Sequence, residues 1–297
     1  MNKTIKGIII FIIIALLVFL TFSFLLPAIK TGIRDRIINE FTNNEYKEEL
    51  TRLDSEWQMP SNLEKENIEI EQMGAFWIKN SKASHDQVLL NLHGGAYILS
   101  LDSHPTTYER MSSNYANYGN IDVLTIDYRT SPDYPYPYAL NDALKGYQYL
   151  LNLGYKSENI ILAGSSAGGG LALALTLYLK DHDMDLPRAI ITMSAWADLS
   201  KFKYLSKPYV GNNDPKDPYI SPSYGNYEDF PNLLLQVGEE QVTEDSYIIY
   251  DKAIASGVNV IISEYEGMPH VFQNLDMTRT EVSNAWKEVQ DFIENLN

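Results

Sequence analysis

A serine between two glycines, in segment 159–170, is the first candidate for chemistry in this sequence. Gly164 and Gly168 lie two residues before and after Ser166, so the spacing selects Ser166 rather than Ser165 in the pattern Gly-x-Ser-x-Gly. An apolar strand-like run precedes the pattern and an apolar helix-like run follows it, which is the context of a nucleophile elbow. On such a turn the hydroxyl points out of the sheet, beside a helix N-terminus that favours negative charge. Taken alone, the pattern also fits a plain turn of small residues.

A second motif supplies the surroundings that a serine nucleophile needs. The apolar run 88–92 ends in residues 93–96, His-Gly-Gly-Ala, and small residues after a strand let backbone amides reach into a site. Acyl transfer passes through a tetrahedral oxyanion, which needs two or three N–H donors aimed at it. The amide of Ala167, directly after the nucleophile, supplies another donor. Taken alone, this motif also fits a tight turn with a structural histidine.

The base that such a serine needs is present as His270. It follows the strand-like run 259–265 and is the only histidine after His182. It therefore stands where the chain order serine, acid, histidine requires a base. A lone loop histidine usually has no such role, but the three motifs together predict a serine hydrolase.

These motifs and one further segment resemble the hormone-sensitive-lipase-like branch of the α/β-hydrolases, whose bacterial members are often called type IV esterases. The resemblance covers roughly residues 65–297, and four segments carry it in order: 93–95 (His-Gly-Gly), 127–137 (Asp-Tyr-Arg-Thr-Ser-Pro-Asp-Tyr-Pro-Tyr-Pro), 164–168 and 267–272 (Gly-Met-Pro-His-Val-Phe). It implies an α/β-hydrolase fold and hydrolysis of short-chain acyl esters, with acetyl groups on a lipid, sterol or cell-surface polymer among the candidate substrates.

The same resemblance implies the oxyanion donors. Gly95, Ala96 and Ala167 correspond to the family's donors, and Gly94 corresponds to the turn before them. Ala96 departs from the family pattern, in which a third glycine is usual at this position. Alanine keeps the backbone N–H, but its Cβ restricts the backbone and narrows the pocket.

The resemblance also places the triad acid at the start of the loop after the strand-like run 232–238. Glu240 fits that position best, which gives Ser-Glu-His where many relatives have Ser-Asp-His. Glu239 and Asp245 are the alternatives, and Asp245 is expected as the N-cap of a helix over 246–255. Without a triad role, this acidic cluster is a solvated loop.

The rest of the sequence supplies the elements that position these residues. Strand-like and helix-like runs alternate from about residue 65 to the end, which predicts one α/β domain with a mostly parallel sheet and helices on both faces. The proline-, tyrosine- and asparagine-rich stretch 199–231 is predicted to be loop and a small cap that lines the substrate pocket. All candidate site residues follow strands, at the edge where open α/β sheets bind ligands. The predicted strands are 68–73, 75–79, 88–92, 121–128, 160–163, 189–193, 232–237 and 258–265, with further helices at 139–153, 171–179 and 279–294.

An uncharged N-terminal stretch, residues 7–29, consists mostly of Ile, Leu, Phe and Val. As a helix it would span roughly 34 Å, enough to cross a bilayer core. One transmembrane helix is therefore predicted, with a cleaved signal peptide as the alternative. The predicted organisation is a membrane anchor over 1–30, a juxtamembrane or cap helix segment over 31–64 and a catalytic domain over 65–297. Basic residues nearly balance across the span, and the short N-terminal flank favours an extracytoplasmic catalytic domain.

Composition narrows the function classes further. The chain has 297 residues, no cysteine and a formal net charge of −16. The absence of cysteine excludes a thiol nucleophile, a thiolate metal site and disulfides. Scattered histidines and the lack of a phosphate-binding glycine loop predict no metal and no nucleotide cofactor. Because an acidic domain repels nucleic acid and anionic lipid, neither is expected as a binding partner.

The sequence thus predicts a membrane-anchored serine carboxylesterase that acts through an acyl-enzyme. An amidase or peptidase that uses the same residues is the nearest alternative. A binding protein on a disabled hydrolase fold is an alternative from a different class, and retention of the serine, the histidine and the oxyanion motif argues against it.

Overall fold

The structure, a computed structural model, describes residues 43–296. The predicted transmembrane helix over 7–29 and the first part of the segment 31–64 lie outside these residues. Within the described part of the chain, no helix is both long enough and apolar enough to cross a lipid bilayer.

One sheet of eight strands forms the centre of the described chain. The strands are β1 (Leu63–Ile70), β2 (Met73–Asn80), β3 (Val88–Leu92), β4 (Asp122–Ile126), β5 (Ile160–Ser165), β6 (Ala189–Met193), β7 (Asn232–Gly238) and β8 (Val260–Tyr265). Their order across the sheet is β1-β2-β4-β3-β5-β6-β7-β8. Pairing is antiparallel between β1 and β2 and between β2 and β4, and parallel from β4 to β8. The predicted mostly parallel sheet is therefore confirmed. The strands predicted over 68–73 and 75–79 are β1 and β2, which pair as a hairpin with its turn at residues 71–72.

The described residues also form seven α-helices and four short 3-10 helices. The α-helices are α1 (Asn44–Glu56), α2 (Pro105–Gly119), α3 (Tyr138–Asn152), α4 (Ala167–Asp181), α5 (Lys203–Val210), α6 (Thr243–Ala255) and α7 (Thr280–Glu294).

Helices cover both faces of the sheet. The strands β3, β4 and β6 are mostly apolar and are buried along their whole length, the pattern of parallel strands packed on both sides. Leu89 of β3 belongs to one buried cluster with Tyr115 of α2 and Trp286 of α7. Leu90, the next residue, faces the opposite side, where a Cβ added to Gly146 of α3 would lie 3.4 Å from its side chain. This layering brings the carboxyl ends of six parallel strands to one edge.

Two helices differ from the sequence-based expectation. Helix α2 was not predicted, because Ser, Thr and Asn dominate its sequence and have low helix propensity. It forms because its inner face, including Ser112 and Tyr115, is buried, and tertiary packing outweighs propensity. Helix α5 lies within the stretch 199–231 that was predicted as loop and cap, and it contains Pro208.

Helix α1 packs on the domain as the sequence predicts for the part of segment 31–64 that is described. It begins after Asn43, whose side chain accepts a hydrogen bond from the Tyr46 N–H at 2.8 Å. Near its end, Asp54 accepts hydrogen bonds from Thr107 at 2.5 Å and Arg110 at 3.2 Å, both on α2. The cap therefore stabilises the start of α1, and the bonds of Asp54 fix its last part to α2.

Candidate active site

Ser166 lies on the sharp turn between β5 and α4. Its backbone angles are φ 52° and ψ −120°, a conformation that costs an L residue on the order of 1–3 kcal/mol. The Ser166 N–H donates to the Met193 carbonyl at 2.9 Å, and the Ser166 carbonyl accepts from Trp196 N–H at 2.9 Å and Gly170 N–H at 3.1 Å. The end of β6 and the loop after it therefore hold the strained turn in place.

The glycines around Ser166 are required by close backbone packing. A Cβ on Gly168 would lie 1.9 Å from the Leu92 carbonyl oxygen, and a Cβ on Gly164 would lie 2.3 Å from the Gly168 carbonyl oxygen. Real Cβ atoms do not come that close to backbone. Helix α4 therefore starts directly against the end of β3, which puts Ser166 beside the loop that follows Leu92.

The structure brings Ser166, His270 and Glu240 into one line of hydrogen bonds. His270 Nε2 lies 2.9 Å from Ser166 Oγ, and His270 Nδ1 contacts the Glu240 carboxylate. All three side chains are buried, with Glu240 2% and His270 6% exposed. When the neutral imidazole carries its proton on Nδ1 toward the carboxylate, Nε2 is free to accept the serine proton.

The surroundings of Glu240 keep its carboxylate ionised. Burial raises the pKa of Glu240, but the charge of His270 and hydrogen bonds from His270, Ser194 and the Gly238 N–H outweigh burial, so the pKa lies below its usual value. Ser194 Oγ donates to Glu240 at 2.5 Å, and the Gly238 N–H donates to it at 3.2 Å. A carboxylate that accepts several hydrogen bonds can stay charged in a buried site.

The two alternative acids lie elsewhere. Glu239 is exposed, and its carboxylate accepts from the Gly267 N–H at 3.2 Å. Asp245 is fully buried and accepts from the Asp198 N–H at 2.9 Å and from Lys201 Nζ at 2.8 Å. Its expected role as an N-cap is wrong, because α6 begins at Thr243 and Asp245 lies inside its first turn. Asp245 instead fixes the loop after β6.

The oxyanion candidates lie beside the nucleophile. A Cβ on Gly94 would lie 3.5 Å from Ser166 Cβ, so this loop and the elbow are in near contact. Gly95 has φ 114° and Ala96 has φ 54°, both left-handed values at which a side chain is strained. Alanine at position 96 therefore carries a conformational cost that glycine would avoid. Among residues 43–296, the N–H groups of Gly95, Ala96 and Ala167 donate to no other backbone group.

Anchored carbonyls orient these three amides. In a trans peptide, the C=O of one residue points opposite to the N–H of the next. The Gly94 carbonyl accepts from Tyr108 Oη at 3.2 Å, and the Gly95 carbonyl accepts from the N–H groups of Ile98 and Leu99, both at 2.9 Å. The Ser166 carbonyl is held in the same way by the bonds described above. Because each carbonyl is bound, the following N–H points away from those partners and stays available.

His93 supports this loop and is not a base. Its Nδ1 lies 2.7 Å from the Gly94 carbonyl oxygen, and its ring stacks on Tyr128 at a centroid distance of 4.1 Å. Burial lowers the pKa of His93 to about 4, although the hydrogen bond to Gly94 raises it. The neutral ring donates from Nδ1, and Tyr128 Oη donates to the His93 carbonyl at 2.6 Å. The histidine of the His-Gly-Gly motif thus fixes the backbone that carries the donors.

Ser194 is a site residue that the sequence-based reasoning missed. It follows β6 at the same sheet edge as the other site residues, and it contacts both Glu240 and the backbone of Val271. Its position directly after the predicted strand 189–193 was the one signal that could have identified it.

Known proteins share both the sequence pattern and the fold. A family model described as alpha/beta hydrolase fold matches residues 89–274. An acetyl-hydrolase of Streptomyces hygroscopicus is 32% identical over 218 residues, covering 67% of this chain and 72% of the relative. An esterase of Acinetobacter venetianus is 31% identical over 239 residues, covering 73% of this chain and 78% of the relative.

A solved structure of an esterase from the bacterial hormone-sensitive lipase family agrees with these matches. It superposes with a TM-score of 0.77 at 28% identity, covering 92% of this chain and 98% of the esterase. The chain therefore belongs to the alpha/beta hydrolase fold family, in its hormone-sensitive-lipase-like branch.

The contact between α4 and β3 predicts a strong effect for Gly168→Ala. A Cβ there meets backbone at 1.9 Å, so the elbow must move away from the end of β3. We expect a loss of at least about 3 kcal/mol of unfolding free energy and loss of ester hydrolysis. Urea unfolding and an ester assay measure the two effects.

Gly74→Ala on β2 is the matched control. The nearest side-chain atom to its Cβ would lie at an ordinary 3.8 Å, so the free energy of unfolding should stay within about 0.5 kcal/mol of the parent. Equal effects of the two substitutions would show that the elbow packing is not a constraint.

Proposed function

We propose that this chain is a serine carboxylesterase that cleaves short-chain acyl esters, with Ser166 as nucleophile, His270 as base and Glu240 as the acid. The observation that carries the proposal is the unbroken hydrogen-bond line from the Glu240 carboxylate through His270 to Ser166 Oγ. Hydrolysis of carboxylic esters agrees with the names of the relatives, which are an acetyl-hydrolase and an esterase.

Each step of the reaction has a group suited to it. Ser166 Oγ attacks the ester carbonyl carbon while its proton passes to His270 Nε2, and the tetrahedral oxyanion forms. Collapse of this intermediate breaks the bond to the alcohol oxygen, which takes the proton from His270. A water molecule then gives a proton to His270 and attacks the acyl-enzyme, and the carboxylic acid leaves as Ser166 regains its proton. The Glu240 carboxylate stabilises the imidazolium in both halves.

The oxyanion is stabilised by amides that are already oriented. The proposed donors are the N–H groups of Gly95, Ala96 and Ala167. The carbonyl of each preceding residue accepts hydrogen bonds from other groups of the protein. A backbone N–H without a backbone partner is costly where the residue is buried, as Ala96 and Ala167 are. Retention of such groups beside a nucleophile supports a role in binding developing negative charge. The positive end of α4 adds to the same field.

Short acyl groups fit the crowding beside the oxyanion loop. Tyr97 follows Ala96 directly and stacks on Tyr209 of α5 at 3.8 Å. The Tyr97 ring also contacts Trp196, whose N–H holds the Ser166 carbonyl. All three aromatic side chains are buried. Because Tyr97 directly follows the proposed donor Ala96, these packed rings support a preference for short acyl groups, in agreement with the name of the acetyl-hydrolase among the relatives.

The nucleophile assignment predicts opposite results for two adjacent serines. Ser166→Ala should abolish hydrolysis of p-nitrophenyl acetate and labelling by a fluorophosphonate, because the attacking oxygen is lost. Ser165→Ala is the matched control and should keep most of both, since Ser165 is not in the hydrogen-bond line. Loss of labelling in Ser165→Ala alone would overturn the assignment, and absence of labelling in the parent protein would favour a binding protein instead.

The acid assignment predicts that Glu240→Gln lowers kcat by roughly 10²–10⁴ with little change in KM. The amide keeps the shape of the side chain but removes the charge that stabilises the imidazolium. Glu239→Gln is the matched control on the neighbouring residue and should be nearly normal, because that side chain is exposed. Asp245→Asn should lower the melting temperature, since it weakens buried bonds to the loop after β6, but keep kcat.

If Glu240→Gln kept normal turnover while Glu239→Gln lost it, the acid would be misassigned. Steady-state kinetics with an acyl-chain series from acetyl to octanoyl, run on the parent protein, would also measure the preference for short acyl groups. An anilide series would measure any amidase activity at the same site.

We further propose that residues 1–30 anchor the enzyme in a membrane. The support is the uncharged 23-residue stretch 7–29, long enough to cross a bilayer core.

Protein from intact cells should stay with membranes after a high-salt wash and require detergent for release. A variant without residues 2–30 should be released without detergent. Recovery of a natural soluble form that begins near residue 30 would show a cleaved signal peptide instead, and protease accessibility in intact cells would report the side on which the domain lies.

A further inference from the structure

The residue after His270 has a strained backbone. Val271 has φ 52° and ψ 44°, the left-handed region that is unfavourable for a β-branched residue. A peptide in this conformation persists only where neighbouring groups hold it. Because Val271 is joined directly to His270, any relaxation of Val271 changes the direction of the imidazole.

Two hydroxyl groups hold Val271, one on each side of the residue. The Val271 N–H donates to Ser194 Oγ at 2.9 Å, and the Val271 carbonyl accepts from Tyr46 Oη at 3.1 Å. Ser194 lies directly after β6, whereas Tyr46 lies in the first turn of α1, 225 residues away in the chain. Both side chains are buried.

The Ser194 hydroxyl has only one possible arrangement of its proton. It has a single O–H, and the Val271 N–H already points at its oxygen, so the proton goes to Glu240 Oε1 at 2.5 Å. Ser194 therefore connects the acid to residues 266–279, the segment between β8 and α7 that carries His270 and is called the histidine loop below. Tyr46 is also fixed as a donor, because burial raises its pKa far above any physiological pH.

Further bonds fasten the histidine loop to α1. The Asp276 N–H donates to Glu49 at 3.0 Å, and Arg279 pairs with the same carboxylate at 2.6 Å. Arg52 pairs with the Asp276 carboxylate at 2.8 Å. These pairs are partly exposed and individually weak, but together they hold α1 against the loop and so keep Tyr46 in reach of Val271.

We propose that Tyr46 and Ser194 are positioning residues that hold Val271 in its strained conformation and thereby align His270 with Ser166. The proposal rests on the proposed function, since it concerns the same histidine. It makes α1 a part of the catalytic apparatus through a hydrogen bond to the backbone next to His270. Removal of either hydroxyl lets Val271 relax, which moves the imidazole away from Ser166 Oγ while the substrate pocket stays intact.

Tyr46→Phe tests the proposal with the loss of a single oxygen. In the full-length protein in detergent, we expect kcat to fall about ten-fold, the factor that corresponds to the loss of one buried hydrogen bond. KM for p-nitrophenyl acetate should stay within about two-fold, because the effect is on the chemical step. The rate of fluorophosphonate labelling should fall by the same factor as kcat.

Tyr115→Phe is the matched control. Tyr115 is equally buried, and its hydroxyl has no hydrogen-bond partner among the described residues. Its removal should leave kcat and the labelling rate unchanged. If Tyr46→Phe behaved like Tyr115→Phe, or changed only KM or the melting temperature, the positioning role would be refuted.

Ser194→Ala should lower kcat about 100-fold, since it removes the bond to Val271 and a bond to the charged acid. Ser113→Ala is its control, because Ser113 is buried with no hydrogen-bond partner in the described chain. The variant with both Tyr46→Phe and Ser194→Ala should lose less than the product of the single losses, because both hydroxyls hold one residue. Strictly multiplicative losses would contradict that shared role.

The parent protein separates this inference from the proposed function. If the parent protein neither hydrolyses p-nitrophenyl acetate nor reacts with the fluorophosphonate, the proposed serine esterase function is refuted. A parent that does both, with Tyr46→Phe equal to its control, refutes only the positioning of His270.

Discussion

The approach of helix α4 to the end of β3 is the contact on which the rest of the site depends. The Leu92 carbonyl lies where a Cβ of residue 168 would be, so only glycine allows the two elements to meet. This contact places the strained Ser166 beside the loop of residues 93–97, and the backbone after β6 then holds its carbonyl. The same contact therefore positions both the nucleophile turn and the oxyanion amides. A shift of α4 by the width of a methyl group would separate the two.

On the other side of Ser166, the site depends on a buried carboxylate that accepts several hydrogen bonds. The buried Glu240 carboxylate is stabilised by His270, Ser194 and the Gly238 N–H, and these bonds offset the cost of burying its charge. A Cβ on Gly238 would lie 2.1 Å from the Met268 carbonyl oxygen. The loops after β7 and β8 are therefore packed as closely as those after β3 and β5, and the acid and base are held by backbone contact as well as by hydrogen bonds.

Sequence patterns predicted most of the sheet because buried parallel strands are continuous apolar runs between turn residues. Residues 88–92 and 189–193 were predicted with the bounds that the structure has. The same reasoning missed α2, whose Ser, Thr and Asn residues carry no apolar stripe and which is helical because the sheet and α7 bury it. It also misplaced Asp245, since a carboxylate at a helix start looks like a cap until its partners, the Asp198 N–H and Lys201, are known.

By itself, the sequence determined three features of the site. They are a serine between two glycines, a downstream histidine and a run of small residues after a strand. Those features are local, because each depends on backbone conformation within a few residues. Only the tertiary structure decided which way the side chains of Glu239 and Glu240 point, and that Ser194 lies between the acid and the histidine loop. The contact of Tyr46 with Val271 spans 225 residues. Such contacts form because packing of helices on the sheet brings segments together that are far apart in the chain. No local sequence pattern shows which distant segments will meet.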